Sequence, residues 1–555
     1  MAERTVARRP VPLRRVREIA SAQELAWARV REDIEAHIGV LALGLALILG
    51  ASVRLSFTLY SDFPLNDGGL FYTMVRDIQA HNYALPAYTS YNGGSIPFAY
   101  PFLPFYSAAA LDDIGPWSLL DVFRFLPLIT SMLTIVALYL LSRRLFVSPA
   151  VVGLTVIFFA LAPRSYKWLI MGGGLTRSMG LLFAVLALHQ VLLLYQTRKR
   201  RYIFGTAILA GMTVLSHPEA SWVLAFSAVL LWGCYGRDRA SAINSLLVAG
   251  GVLAITAPWW GTVVAQHGFT PLFSASQEGW YSWETWRNFY YWSFTEQPYL
   301  NVSAVLAILG ALVLLAQGKP FVPLWLIAIV VLEPRSAPTF AALPVAMLTA
   351  TAVVSFAVPI WKMTASRTAS PQTNGAAHHD GSSIWPARRA ELLPKIGVLL
   401  VAAYLATILV QSAFYPTGLL YGLGGQERDA MAWVKENTDE NDTFLVVTGD
   451  TNWATDRTSE WFPALTGRTS LGTFQGYEWL GRKKSEEQAE RALRLQQCAY
   501  SDSFCIEHWA RSGDVTFSYV YLAERCCPTL ERSLFSANDY RLVRNSSGAV
   551  IFAHR

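Results

Sequence analysis

Long apolar runs alternate with polar segments from residue 38 to residue 411. The runs fall at 38–59, 123–141, 150–161, 178–195, 203–215, 220–234, 242–257, 302–316, 322–332, 338–360 and 396–411. Several approach the roughly 20 residues that a helix needs to cross hydrocarbon. The pattern predicts an α-helical polytopic membrane protein with about eleven spans. Residues 97–111, "PFAYPFLPFYSAAAL", are apolar too, but their prolines and short length predict a helix lying in the interface. Beyond residue 412 the pattern changes. "GQERDAMAWVKENT" and 484–497 have helical spacing, "DTFLVVTG" reads as a buried strand, and short strands are expected near 515–522, 540–544 and 549–553. Strands alternating with helices predict a small α/β domain.

Basic residues between the runs set the expected orientation. "SRRLF", "RKRR", "GRDR", "GK" and "WKM" all fall on the side of the Arg-rich N-terminal arm if 97–111 does not span. The chain then divides into a cytoplasmic basic arm (1–36), a transmembrane module (37–361) and a disordered cytoplasmic linker (362–394). A last transmembrane helix (395–412) and an extracytoplasmic domain (413–555) follow. Long outer loops are expected at 60–121 and 258–301. The arm is polar, so no cleavable signal peptide is expected. A plasma-membrane location fits this layout.

Composition agrees with a membrane protein: 53% of residues are hydrophobic and 15% charged, against about 25% charged in soluble domains. The net charge of +6 comes from loop residues, not from a basic stripe with base-stacking aromatics, so nucleic acid is not an expected partner. Cys498, Cys505, Cys526 and Cys527 share the C-terminal segment and suggest disulfides in an oxidising compartment. Adjacent Cys526 and Cys527 are expected to bond to different partners.

Ionisable residues are almost absent within the runs but gather at their outer ends, which points to chemistry at one membrane face rather than at the midplane. Asp67, in "PLNDGGLFY", precedes two glycines and a helix; it reads as a general base or as an N-cap. Arg177 follows "GGGLT" and Lys167 precedes it; a guanidinium beside flexible backbone suits an anionic oxygen or a lipid headgroup. "SHPEA" places His217 and Glu219 together, and "LEPRSAP" places Glu333 and Arg335 between two runs, as an ion pair or a phosphate clamp. Arg76 lies on the helix after Asp67. Trp259 and Trp260 open an aromatic stretch that reads as an interfacial belt or as a surface for sugar and lipid. P-loop, GxSxG and HExxH motifs are absent from the sequence.

Several features resemble the C-class (GT-C) membrane glycosyltransferases, such as protein O-mannosyltransferases and aminoarabinose transferases. They are the acid after the first span, "YPFLPFY", "FRFLPLITSMLTIVALYLLSRRLF", "EPR" with "PTFAALPVAML", and the C-terminal α/β domain. The resemblance implies inverting transfer of a sugar from a polyprenyl-phosphate donor to a lipid, glycan or protein acceptor. It gives Asp67 the role of acceptor base or positioning group and Arg335 that of a contact to the lipid phosphate. Many members carry an acid in the second outer loop. "RSYKWLIMGGGLTRS" has none, so no cofactor is expected, a divalent metal lacks sequence support, and His217 or Glu219 could supply the second acid–base group. The competing readings are a transporter or flippase for lipid-linked substrates, which predicts polar midplane helices, and a non-catalytic scaffold, which predicts no convergence of these residues.

Overall fold

The computed structural model describes residues 13–277, 302–366, 387–415 and 418–555. Residues 278–301 of the expected outer loop 258–301, 367–386 of the expected linker and 1–12 of the arm lie outside the described residues.

The helical part begins with α1 (Leu13–Tyr60), whose His37–Tyr60 portion carries the first apolar run. Two short helices follow, α2 (Gly69–Ala80) and α3 (Leu103–Ile114), with the paired β1 (Tyr88–Thr89) and β2 (Ile96–Pro97) between them. Then come α4 (Leu119–Leu145), α5 (Pro149–Leu161), α6 (Gly174–Thr197), α7 (Arg201–Val214), α8 (Pro218–Tyr235), α9 (Arg239–His267) and α10 (Thr270–Gln277). α11 (Val302–Ala316), α12 (Phe321–Leu332), α13 (Ala337–Ser366) and α14 (Ala387–Phe414) complete it. Each predicted run falls on a helix. Among the described residues, five helices are long and apolar enough to cross a membrane by length and composition, in α1, α4, α6, α9 and α13; α5, α7, α11 and α12 are shorter apolar helices. α3 has 12 residues, about 18 Å of helix, too short to span.

Local chemistry sets several starts. Ser118 caps α4 by accepting the Asp121 N–H at 3.2 Å, and Asp238 caps α9 by accepting the Ser241 N–H at 2.9 Å; such caps stabilise a helix by about 1 kcal/mol. Pro149 and Pro218 open α5 and α8, where a missing N–H costs nothing. Ile135, Leu138, Val156, Phe159, Leu181, Val185 and Leu188 fill the core where these helices meet.

One ionisable side chain lies deep inside a run, Arg54 of α1, and it is fully buried. A guanidinium there needs carbonyls and hydroxyls from other segments. Arg54 donates to Ser131 Oγ at 2.9 Å and the Ala160 carbonyl at 2.9 Å, and lies 5.1 Å over the Tyr166 ring. It thereby ties α1 to α4 and to the turn leading into α6.

The C-terminal part is an α/β domain. Its helices are α15 (Gly425–Asn437), α16 (Arg457–Thr466), α17 (Arg482–Gln497), α18 (Ser503–Ser512) and α19 (Pro528–Ser536). Its sheet runs β4 (Thr469–Ser470), β3 (Thr443–Val447), β5 (Tyr519–Ala523), β7 (Ala549–His554), β6 (Tyr540–Asn545) in spatial order. β4, β3 and β5 are parallel; β7 and β6 are antiparallel additions. Side chains alternate along β3. Phe444 and Val446 join one buried layer with Trp461 and Tyr521, while Leu445 and Val447 join the other with Leu495 and Trp509.

The disulfide expectation is corrected here. Cys498 pairs with Cys505, and Cys526 with its neighbour Cys527. Cys498 ends α17 while Cys505 sits on the first turn of α18, placing their Cα atoms 5.6 Å apart, inside the usual bridging range. That leaves the adjacent pair to each other.

Candidate functional site

Asp67 lies where the helical part and the α/β domain meet. It does not cap α2; the N-cap is Gly68, without a side-chain hydrogen bond. Instead its carboxylate turns away from its own helix and toward α6. Oδ1 accepts the Gly173 N–H at 2.8 Å, and Oδ2 pairs with the Arg177 guanidinium. Two glycine-bearing turns make this possible. Gly68 has φ +123°, which L side chains rarely adopt, and a Cβ on Gly172 would sit 2.0 Å from the Asp67 carbonyl oxygen. The Gly172 N–H donates to the Leu65 carbonyl at 2.9 Å. Arg177 is held in turn by the Trp168 carbonyl at 3.0 Å and lies 5.3 Å over the Trp168 ring.

The α/β domain closes this turn from the other side. Glu460 Oε1 accepts the Gly68 N–H at 2.8 Å, Trp461 Nε1 donates to the Asn66 carbonyl at 2.9 Å, and Tyr91 Oη donates to the Glu460 carbonyl at 2.7 Å. Sequence reading missed Glu460. The available signal was Asp456 followed by "RTSE", an N-cap with an acid in the first turn; Asp456 does accept the Ser459 N–H at 3.0 Å. Burial first, and then the Asp67 carboxylate, push the Glu460 carboxyl up to about 8. Its folded value therefore exceeds its ordinary 4.5, so the folded state binds this proton more tightly than the unfolded chain. Stability from this group is present below about pH 4.5 and is lost as pH rises through about 8. Glu460→Gln removes that titration. The thermal midpoint should fall less between about pH 5 and 8 in the variant than in the parent. Equal slopes in a fluorescence-monitored melt would contradict this.

The other predicted residues divide into two groups. Glu219 and Arg335 converge: Arg335 Nε lies 3.4 Å from Glu219 Oε1, and Ser336 Oγ donates to Glu219 Oε2. Burial opposes ionisation of Glu219, but the Arg335 charge and the Ser336 hydroxyl outweigh it and hold the carboxyl below its usual range. Nearby Glu333 moves the opposite way. Burial, then the Glu219 charge, push it up to about 8, so it keeps a proton at neutral pH. His217 is within electrostatic reach of Glu219, Arg177 and Arg335. Its Nδ1 accepts the Ala220 N–H at 3.4 Å as the cap of α8, and burial lowers its value to about 4, so the ring is neutral. Tyr100 lies between Thr176 and His217: its hydroxyl is 3.2 Å from Thr176 Oγ1, and its ring is 6.4 Å from the His217 ring. Trp259 is buried beside it, donating to the Ala99 carbonyl at 3.1 Å.

Two of the predicted residues, Arg76 and Trp260, lie apart from this group. Arg76 stacks 5.7 Å over Tyr72 within reach of Asp112 and Asp113, a separate cluster between α2 and α3. Trp260 is exposed and bonds back to the Leu253 carbonyl at 3.3 Å within α9. Lys167 is buried in the turn before α6. At the opposite end of the bundle Arg198 pairs with Asp238 at 3.1 Å, and Gln196 donates to the Arg144 carbonyl at 3.4 Å, which brings the basic loops together.

Both oxygens of the Asp67 carboxylate accept from protein donors, one from an N–H and the other from a guanidinium. Among the described residues, no three His, Cys, Asp or Glu converge as metal ligands.

No protein-family model matches the chain, and no curated protein matches it in sequence. Solved structures do resemble it. The archaeal oligosaccharyltransferase AglB of Archaeoglobus fulgidus, in complex with an inhibitory peptide and a dolichol-phosphate, matches with TM-score 0.59 at 16% identity, over 87% of this chain and 69% of that one. ArnT from Cupriavidus metallidurans in the apo state matches with TM-score 0.53 at 16% identity, over 93% of this chain and 97% of that one. ArnT bound to undecaprenyl phosphate gives 0.50. The mycobacterial arabinofuranosyltransferase AftD matches with TM-score 0.54 at 14% identity, over 93% of this chain but 41% of that longer one. All three are GT-C glycosyltransferases, and this chain has the GT-C fold.

Proposed function

We propose that this chain is a membrane glycosyltransferase that moves a sugar from a polyprenyl-phosphate donor to an acceptor on the extracytoplasmic face, with inversion. The observation that carries this reading is the Asp67–Arg177 pair clamped between the helical part and the α/β domain of a GT-C fold. Dolichol-phosphate in the AglB structure and undecaprenyl phosphate in an ArnT structure support a lipid phosphate as donor. The clustered basic loops at the opposite end fit a cytoplasmic side in a plasma membrane.

In this mechanism the acceptor hydroxyl oxygen attacks the anomeric carbon, and its proton passes to the Asp67 carboxylate. The bond from that carbon to the phosphate oxygen breaks, and its electron pair leaves with the polyprenyl phosphate. Arg177 orients Asp67. Arg335, with a side chain 43% exposed, neutralises the leaving phosphate. The experiment is direct: full-length chain in liposomes is given radiolabelled polyprenyl-phosphate pentoses and hexoses with membrane lipid, glycan and peptide acceptors. Label should leave one donor class; retention of label on every donor would remove the proposal. Arg335→Ala should raise the donor KM roughly ten- to hundred-fold, as expected for losing a charged hydrogen bond. An unchanged KM would take the phosphate contact from Arg335.

A further inference from the structure

A polar cavity of about 240 Å³ lies wholly within the α/β domain. It is lined by Thr448 and Asp450, just beyond β3, and by Ala523 and Glu524, at the end of β5. The place is defined by topology. After β3 the chain crosses to β4 on one side; after β5 it turns through α19 to β6 and β7 on the other. The crevice between β3 and β5 is therefore where the winding reverses, and open α/β sheets bind ligands at the carboxyl ends of strands flanking such a point.

The lining chemistry narrows the ligand. Asp450 and Asp456 already accept hydrogen bonds, from Thr455 Oγ1 at 2.8 Å and Thr448 Oγ1 at 2.7 Å. Their carboxylates keep lone pairs for further donors. Arg457 also lines the cavity, and its buried Nε–H has no hydrogen-bond partner among the described residues. Burial pushes Asp456 up to about 7, but the carboxylates of Glu427, Asp450 and Glu524 alone outnumber that one arginine, which disfavours a phosphorylated or carboxylated ligand. The same acids do not gather as a metal site. Many acceptors, one donor and threonine hydroxyls around a space near the lower end of small-molecule sites match the ring of a polyol.

We propose that this cavity binds one sugar unit, neutral or amine-bearing, of the acceptor. Only the acceptor role rests on the transferase reading. The link to the reaction centre is short: Asp456 caps α16, Glu460 lies one turn along that helix against Gly68, and the Ala454 carbonyl accepts from Asn66 Nδ2 at 3.1 Å. A ligand on this loop touches the segment that holds the Asp67 turn.

Saturation-transfer NMR on the full chain in nanodiscs tests this without any donor. The probes are the methyl glycosides of mannose, galactose and glucosamine, with glucose 6-phosphate as the anionic counterpart. At least one glycoside should receive saturation and the phosphate should not. Glu524→Gln, at an exposed position, and Asp450→Asn should weaken binding about five-fold or more, while Gly250→Ala, in α9 with nothing within 4 Å of the added methyl, leaves it unchanged. Absence of transfer to all three glycosides, equal transfer to the phosphate, or wild-type binding by both cavity variants overturns the proposal. Sugar binding by a chain that transfers no sugar would overturn the transferase reading and leave this cavity assigned.

Discussion

Asp67→Asn is expected to lower the turnover of sugar transfer by about 10²–10⁴-fold, the range contributed by a positioned acid or base. The variant keeps one interaction and loses another. Its amide oxygen can still accept the Gly173 N–H, but its amino group then meets the Arg177 guanidinium, donor against donor. The Arg177 charge is left without its carboxylate in a site where the two side chains are 25% and 11% exposed. Part of the effect is therefore structural, and the thermal midpoint must be read beside the turnover. Asp67→Glu separates the two contributions: it keeps the charge opposite Arg177 but displaces the oxygens by one methylene. Stability should recover in Asp67→Glu more than turnover does, because proton transfer needs placement as well as charge. A folded Asp67→Asn enzyme within about two-fold of the parent would remove Asp67 from the chemistry.

The helical architecture was legible because lipid-facing and core positions are both apolar, so hydropathy alone marks the helices. Arg54 escaped that reading. Its partners lie 77 and 106 residues along the chain, and a hydropathy window cannot see them. Asp67 was legible from its glycines, and Arg177 from "GGGLTR", but their pairing depends on two turns brought into backbone contact. Glu460 lies 392 residues from Gly68 and became part of the site only through docking of the α/β domain. His217 shows the converse: a histidine beside an acid reads as chemistry, whereas its Nδ1 is committed to a helix cap. The pairing of Cys526 with Cys527 depended on where α17 and α18 place Cys498 and Cys505, which spacing in sequence does not encode.

The close approach of the two turns makes Gly172→Ala the second large effect. The added methyl would lie 2.0 Å from the Asp67 carbonyl oxygen and 3.3 Å from the Gly68 Cα. Both are backbone atoms, so no side chain can swing aside. The turns must separate by more than an ångström to restore ordinary contact, which strains the Gly172–Leu65 and Gly173–Asp67 hydrogen bonds of 2.9 and 2.8 Å. Overpacking of this kind costs about 1–3 kcal/mol, and displacement of a reacting group by about 1 Å costs roughly 10²-fold in rate. Gly250→Ala is the control: it lies in α9, and a Cβ there meets nothing within 4 Å. In a helix interior that change should leave stability unchanged or raise it by about 0.5–1 kcal/mol. Turnover and thermal midpoint measured on both variants separate contact at the turns from a general intolerance of alanine. Parent-like turnover in Gly172→Ala would mean that the turns do not touch in the working enzyme, and the clamped geometry assigned to Asp67 would fall with that result.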